Sequence, residues 1–116
     1  MTIALIIFAS VLAFAAIGSA IAKLKKVPDV MAMMASVGVK ASLVPVLAFL
    51  EIAGGLGIIA GIWIPALGAA ATIGLVLYFF GAVASHLRVK SPLSDAGASI
   101  GILTIAILSL YLQLQR

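Results

Sequence analysis

Residues 43–64 read LVPVLAFLEIAGGLGIIAGIWI, a stretch that is apolar apart from a single acid, Glu51. As a helix rising about 1.5 Å per residue, it is long enough to cross a hydrocarbon layer of roughly 30 Å. Valine and isoleucine are frequent, but no alternation of apolar and polar residues supports a barrel strand. Three runs of the same character surround it: residues 2–22, without a charge; residues 66–87, after the Trp63-Ile64-Pro65 turn; and residues 97–114. The expected fold is therefore all-α, a polytopic membrane bundle of four transmembrane helices forming one domain over residues 1–116.

Composition points the same way. Of 116 residues, 66% are hydrophobic and 9% charged, and the mean hydropathy is +1.40. Soluble domains carry about 25% charged residues, and so few charges cannot build a water-facing surface. A soluble enzyme, a nucleic-acid-binding domain and a disordered chain are all excluded. There is no cysteine, which excludes a dithiol oxidoreductase, an iron–sulfur carrier and a thiolate metal site within the chain. A single histidine, His86, excludes a bis-histidine haem. No metal site is expected, and any redox role belongs to a protein partner or a borrowed cofactor such as a quinone.

The net charge of +4 reads as a topology signal. With four spans, Lys23, Lys25, Lys26, Lys40, Arg88 and Lys90 fall on one side, and only Arg116 on the other. That bias places the basic connections in the cytoplasm and both termini outside, as for a multi-pass protein of a bacterial inner membrane. Trp63 and Tyr111 fall near the expected outer interface. The first run is read as a retained anchor, since only Met1 and Thr2 precede it and its lysines follow it. A specific lipid-binding role for the cations is a lesser reading.

The long first connection contains Pro28 and Asp29, which can start a short helix over the Met-rich residues 30–35, ended near Gly38. At about ten residues it is too short to span, so an interfacial segment over 28–39 is expected, with a mobile Met-rich lid as the sharper alternative. Helix contacts are expected at small residues, because close backbone approach drives association in lipid. The candidates are Gly54, Gly55, Gly57 and Gly61 in the second run, Gly68, Gly74 and Gly81 in the third, and Gly97 with Gly101 in the fourth. Some of these faces could serve a homo-oligomer.

Glu51 needs an explanation, because an acid inside a span costs on the order of 2–3 kcal/mol. It shares a helical face with Gly54, Gly55 and Ile58, which turns it toward neighbouring helices. Its expected partner is His86, which stands at the foot of an i, i+4 row with Gly74, Tyr78 and Ala82, beside Ser85. By span depth His86 lies about 10 Å shallower than Glu51. The lean of helical side chains toward their own N-termini narrows that gap between antiparallel helices. Lys23 and Arg88 are the nearby cations. The candidate ligand or proton site is thus Glu51, His86, Tyr78, Ser85, Lys23 and Arg88, with no catalytic residue assigned.

These residues carry a resemblance. Lys23-Leu24, Pro28-x-Val30-Met31, Gly38, Pro45, Glu51-Ile52-Ala53-Gly54-Gly55-Leu56-Gly57 and His86-Leu87-Arg88 follow in order over about residues 22–90. Together they resemble the DoxX family of small four-helix membrane proteins in its short bacterial form. The resemblance implies that Glu51 and His86 are the family's polar intramembrane residues. It further implies kinship with the membrane subunit of thiosulfate:quinone oxidoreductases, and some members are associated with oxidative-stress complexes.

Two functional classes follow. One is an accessory or ligand-binding membrane subunit of a redox complex, in which carboxylate and imidazole hold a quinone or another amphipathic molecule. The other is a small proton-coupled transporter, although the small multidrug exporters carry their glutamate in the first helix, where this chain has no acid. A structural assembly factor without ligand is a third reading. No set of nucleophile, base and orienting group is visible, so binding is favoured over catalysis.

Overall fold

The computed structural model describes residues 3–116, with the side chains of Ser94 and Asp95 excepted. Five α-helices and one 3-10 turn follow in order: α1 (Ile3–Leu24), α2 (Pro28–Ser36), the turn Ala41–Leu43, α3 (Val44–Ala60), α4 (Pro65–Arg88) and α5 (Leu93–Leu114). Thr2, the expected first residue of the first run, lies outside the described residues. The chain's prolines punctuate this order. Pro28 and Pro65 open α2 and α4, Pro45 stands in the first turn of α3, and Pro92 immediately precedes α5. At these places the missing N–H costs nothing and the fixed φ favours helix. Pro92 also moves the start of α5 to Leu93, four residues before the expected Gly97.

Four of the helices are long and apolar enough to cross a membrane. They pack as a ring in which α1 touches α3 and α5, and α4 touches α3 and α5, so α1 and α4 face each other across the bundle. Neighbours run antiparallel, as the contacts show. Gly55 of α3 abuts Ile17 and Ala13 of α1, while the earlier Glu51 meets the later Lys23. Likewise Gly54, Gly57 and Gly61 meet Leu75, Ala71 and Gly68 in descending order. Both described ends of the chain therefore lie with Trp63, opposite the lysine-rich connections.

The core is a layer of small and branched residues, including Leu12, Ala13, Ala16, Ile58, Leu75, Phe79 and Ala106. Large apolar side chains such as Phe14, Phe49, Leu77 and Phe80 point outward. An apolar exterior around a small-residue core is the arrangement a lipid solvent selects. The protein is a multi-pass membrane protein.

The glycines divide into two sets. A Cβ on Gly54 or Gly57 would come within 3 Å of Leu75 or Ala71 side-chain atoms, and one on Gly61 would fall on the backbone of Gly68. Gly74, Gly97 and Gly101 have nothing within 4 Å of such a Cβ, so the expectation that they seat a neighbouring helix does not hold within the chain. For Gly74 the reason is rotation. Each i, i+4 step turns about 40° around a helix of 3.6 residues per turn, so Gly74 lies about 120° from His86 and faces outward. The interior face of α4 is instead Gly68, Thr72, Leu75, Phe79 and His86.

Candidate functional site

On α1, Ala9, Ala13, Ala16, Ala20 and Lys23 follow at spacings of three and four, and all are buried. This small face meets α3 and α5, so it carries the last-turn lysine into the bundle. Lys23 is only 6% exposed and its Nζ lies 2.7 Å from Oε1 of fully buried Glu51. The same ammonium donates to Ser19 Oγ, one turn back, at 2.8 Å. The Ser19 and Tyr78 side chains also face the Glu51 carboxyl. Charges held in a medium of low dielectric must be paired and hydrogen-bonded to persist; Lys23 pairs with Oε1, while the buried Oε2 of Glu51 has no hydrogen-bond partner among the described residues.

Glu51 is thus paired with Lys23 and not, as the sequence suggests, with His86. Reach and direction explain the difference. A side chain at the end of α1 leans back toward the membrane centre, and the four-carbon stem of lysine covers the depth to Glu51. The shorter imidazole of His86 starts from a similarly shallow level and makes no hydrogen bond to Glu51 among the described residues. It is nevertheless turned inward, 2% exposed, with Nδ1 lacking a hydrogen-bond partner. Arg88 is drawn elsewhere. Its Nη2 donates to the Val37 carbonyl at 3.1 Å, fastening the end of α2 to the end of α4.

Between these groups lies a cavity of about 330 Å³. Ser19, Lys23, Tyr78, Ser85, His86 and Ser99 supply its polar atoms, and Met33, Met34, Val37, Leu47, Phe79 and Ile102 much of its apolar wall. Of the six expected site residues, Lys23, Tyr78, Ser85 and His86 line this cavity, Glu51 anchors Lys23 at its edge, and Arg88 stands apart. The Ser85 hydroxyl donates to the Gly81 carbonyl at 2.9 Å, which uses its proton within α4. The Met-rich α2 buries none of its own residues, yet it covers this space.

The family model described as the DoxX-like family matches residues 7–109. The chain belongs to the DoxX-like family. No curated protein and no solved structure matches it. In this DoxX-like chain the matched region contains Lys23, Glu51 and His86 together with the whole cavity lining.

Sequence reading missed Ser19 and Ser99. Ser19 stands four residues before Lys23, and that spacing on a small-residue face is the signal for Ser19. A second polar group at the Trp63 end was also missed. Thr72 Oγ1 donates to the Gly68 carbonyl at 2.6 Å, and buried Ser109 and Gln113 share one face of α5 at i, i+4. Arg116 donates to the carbonyls of Gly61 at 2.7 Å and Ile62 at 2.9 Å, at the end of α3.

Proposed function

We propose that this protein is a ligand-binding, accessory membrane subunit whose cavity takes the head of an amphipathic small molecule, a quinone being the best-fitting class. The observation that carries the reading is a donor-rich cavity whose cation is already neutralised. Lys23 offers three protons, of which Glu51 and Ser19 take two, so one is left for a ligand oxygen. His86, Tyr78 and Ser99 add further polar atoms on the other walls. Because Glu51 cancels the lysine charge, the site suits an uncharged head with acceptor oxygens over a carboxylate or phosphate. A volume of about 330 Å³ is at the small end of ligand pockets and matches a ring-sized head group. Quinone binding of this kind fits the role of a membrane subunit serving a redox partner in a bacterial inner membrane, with both termini outside.

The test is titration of the protein in lipid nanodiscs with a decyl-tailed benzoquinone, followed by equilibrium partitioning against empty discs. Saturable binding is expected, weakened about tenfold by His86→Gln or Ser99→Ala through loss of a polar contact. Absence of saturable binding, or wild-type affinity retained in both variants, contradicts the proposal. Orientation is tested separately with Lys25→Cys and Gln115→Cys in this cysteine-free chain. An impermeant maleimide added outside is expected to label only the latter.

A further inference from the structure

Helices α1 and α4 end in the same way, on a lysine in left-handed backbone. Lys26 and Lys90 both have φ of 54°. In each case the chain is closed by a backbone bond reaching five residues back, Val27 N–H to Ala22 C=O at 3.2 Å and Ser91 N–H to His86 C=O at 3.0 Å. In each case a proline follows two residues later. Glycine is the usual occupant of this position, since any side chain is penalised there. The chain uses glycine at the end of α2, where Gly38 has φ of 84°. Cations compensating the helix dipole belong in the last turn, and Lys23, His86 and Arg88 already stand there. The two strained lysines are therefore not needed for that purpose.

Their surroundings suggest another. Both are exposed, and α1 and α4 face each other across the bundle, so the two cations flank the cavity from opposite sides. Lys25 and Lys40 are exposed at the same end, where Asp29 is the exposed acid among the described side chains. Within a turn of each lysine an outward apolar side chain begins the lipid-facing surface, Leu24 beside Lys26 and Leu87 beside Lys90. A lysine carried on a fixed backbone turn next to an outward apolar helix face matches a phosphate next to its acyl chains. We propose that Lys26 and Lys90 are two docking points for the phosphates of anionic phospholipids. This inference is independent of what the cavity binds.

Native mass spectrometry of the full chain, released from micelles containing equal phosphatidylglycerol and phosphatidylcholine of the same acyl chains, tests it. Wild type is expected to retain phosphatidylglycerol preferentially. Lys26→Gly and Lys90→Gly should each lower that preference about fivefold, and the pair about 25-fold, from the attraction of one lysine for an anionic surface. Since glycine relaxes the left-handed backbone, thermal stability in detergent should stay equal or rise, separating lost binding from lost fold. Lys25→Gln, removing a charge from an exposed position without positive φ, should change the preference by less than either glycine variant. The proposal is overturned by a wild type with no preference for phosphatidylglycerol. It is overturned equally by glycine variants that keep the preference, by an equal effect of Lys25→Gln, or by displacement of the lipid with soluble glycerol phosphate.

Discussion

Lys23 shows how one side chain sets the character of the site. Removing it leaves the Glu51 carboxyl buried with only neutral groups facing it, and breaking a buried pair in this way costs about 3–5 kcal/mol. Lys23→Met is therefore expected to destabilise the bundle by that order in an SDS unfolding titration. Combining it with Glu51→Leu should recover most of the loss, because no unpaired carboxyl then remains in the apolar interior. Equal destabilisation in the single and double variants would show that Lys23 acts through packing alone. The importance of Glu51 is legible in the sequence, since an acid in an apolar run stands out. Its partner is less legible, because Lys23 reads as the first of a flanking cationic cluster. Only its place on the Ala9–Ala13–Ala16–Ala20 face distinguishes it from Lys25 and Lys26, which are exposed.

At the level of elements, the seam between α3 and α4 is closed by glycine at one end and opened by the cavity at the other. Gly61 and Gly68 touch backbone to backbone, whereas Gly81, which lines the cavity, has nothing within 4 Å of an added Cβ. Gly61→Ala should cost about 1–3 kcal/mol by forcing the helices apart, while Gly101→Ala should change stability little. The same SDS titration measures both, and comparable losses would contradict the register described here. Helix α2 differs in kind from the spans. It buries no residue, so its amide hydrogens should exchange faster than those in the middle of α1. Equal protection of the two would mean that α2 is held by more than the Arg88–Val37 bond and the cavity rim. Its start at Pro28 and its end before Gly38 are visible in the sequence. Its position over a cavity is not, because nothing local records what lies beneath a helix.

For the molecule as a whole, the two ends are fastened differently. At the Lys-rich end the helices surround a cavity, and at the Trp63 end Arg116 ties α5 to the carbonyls that finish α3. Arg116→Ala should lower the unfolding midpoint by the equivalent of about 1–2 kcal/mol, the scale of charge-assisted hydrogen bonds that are partly exposed. Affinity for the proposed quinone ligand should be unaffected, since the cavity lies at the other end. A loss of affinity without a loss of stability would show that the two ends are coupled through the bundle.

What the sequence determined alone is the solvent and the number of crossings. Hydropathy is a local sum, and four apolar runs punctuated by prolines leave a helical membrane bundle as the consistent solution. The acid inside those runs also names itself, because lipid makes a carboxylate costly, whereas the small hydroxyls do not. Which polar residues meet was decided by tertiary structure. The choice of Lys23 over His86 depends on the antiparallel register of α1 against α3 and on the direction in which a long side chain leans. The outward turn of Gly74 and Gly101 depends on the rotation of α4 and α5 about their own axes. Depth and rotation are set by packing between segments far apart in the chain, and no local pattern carries them.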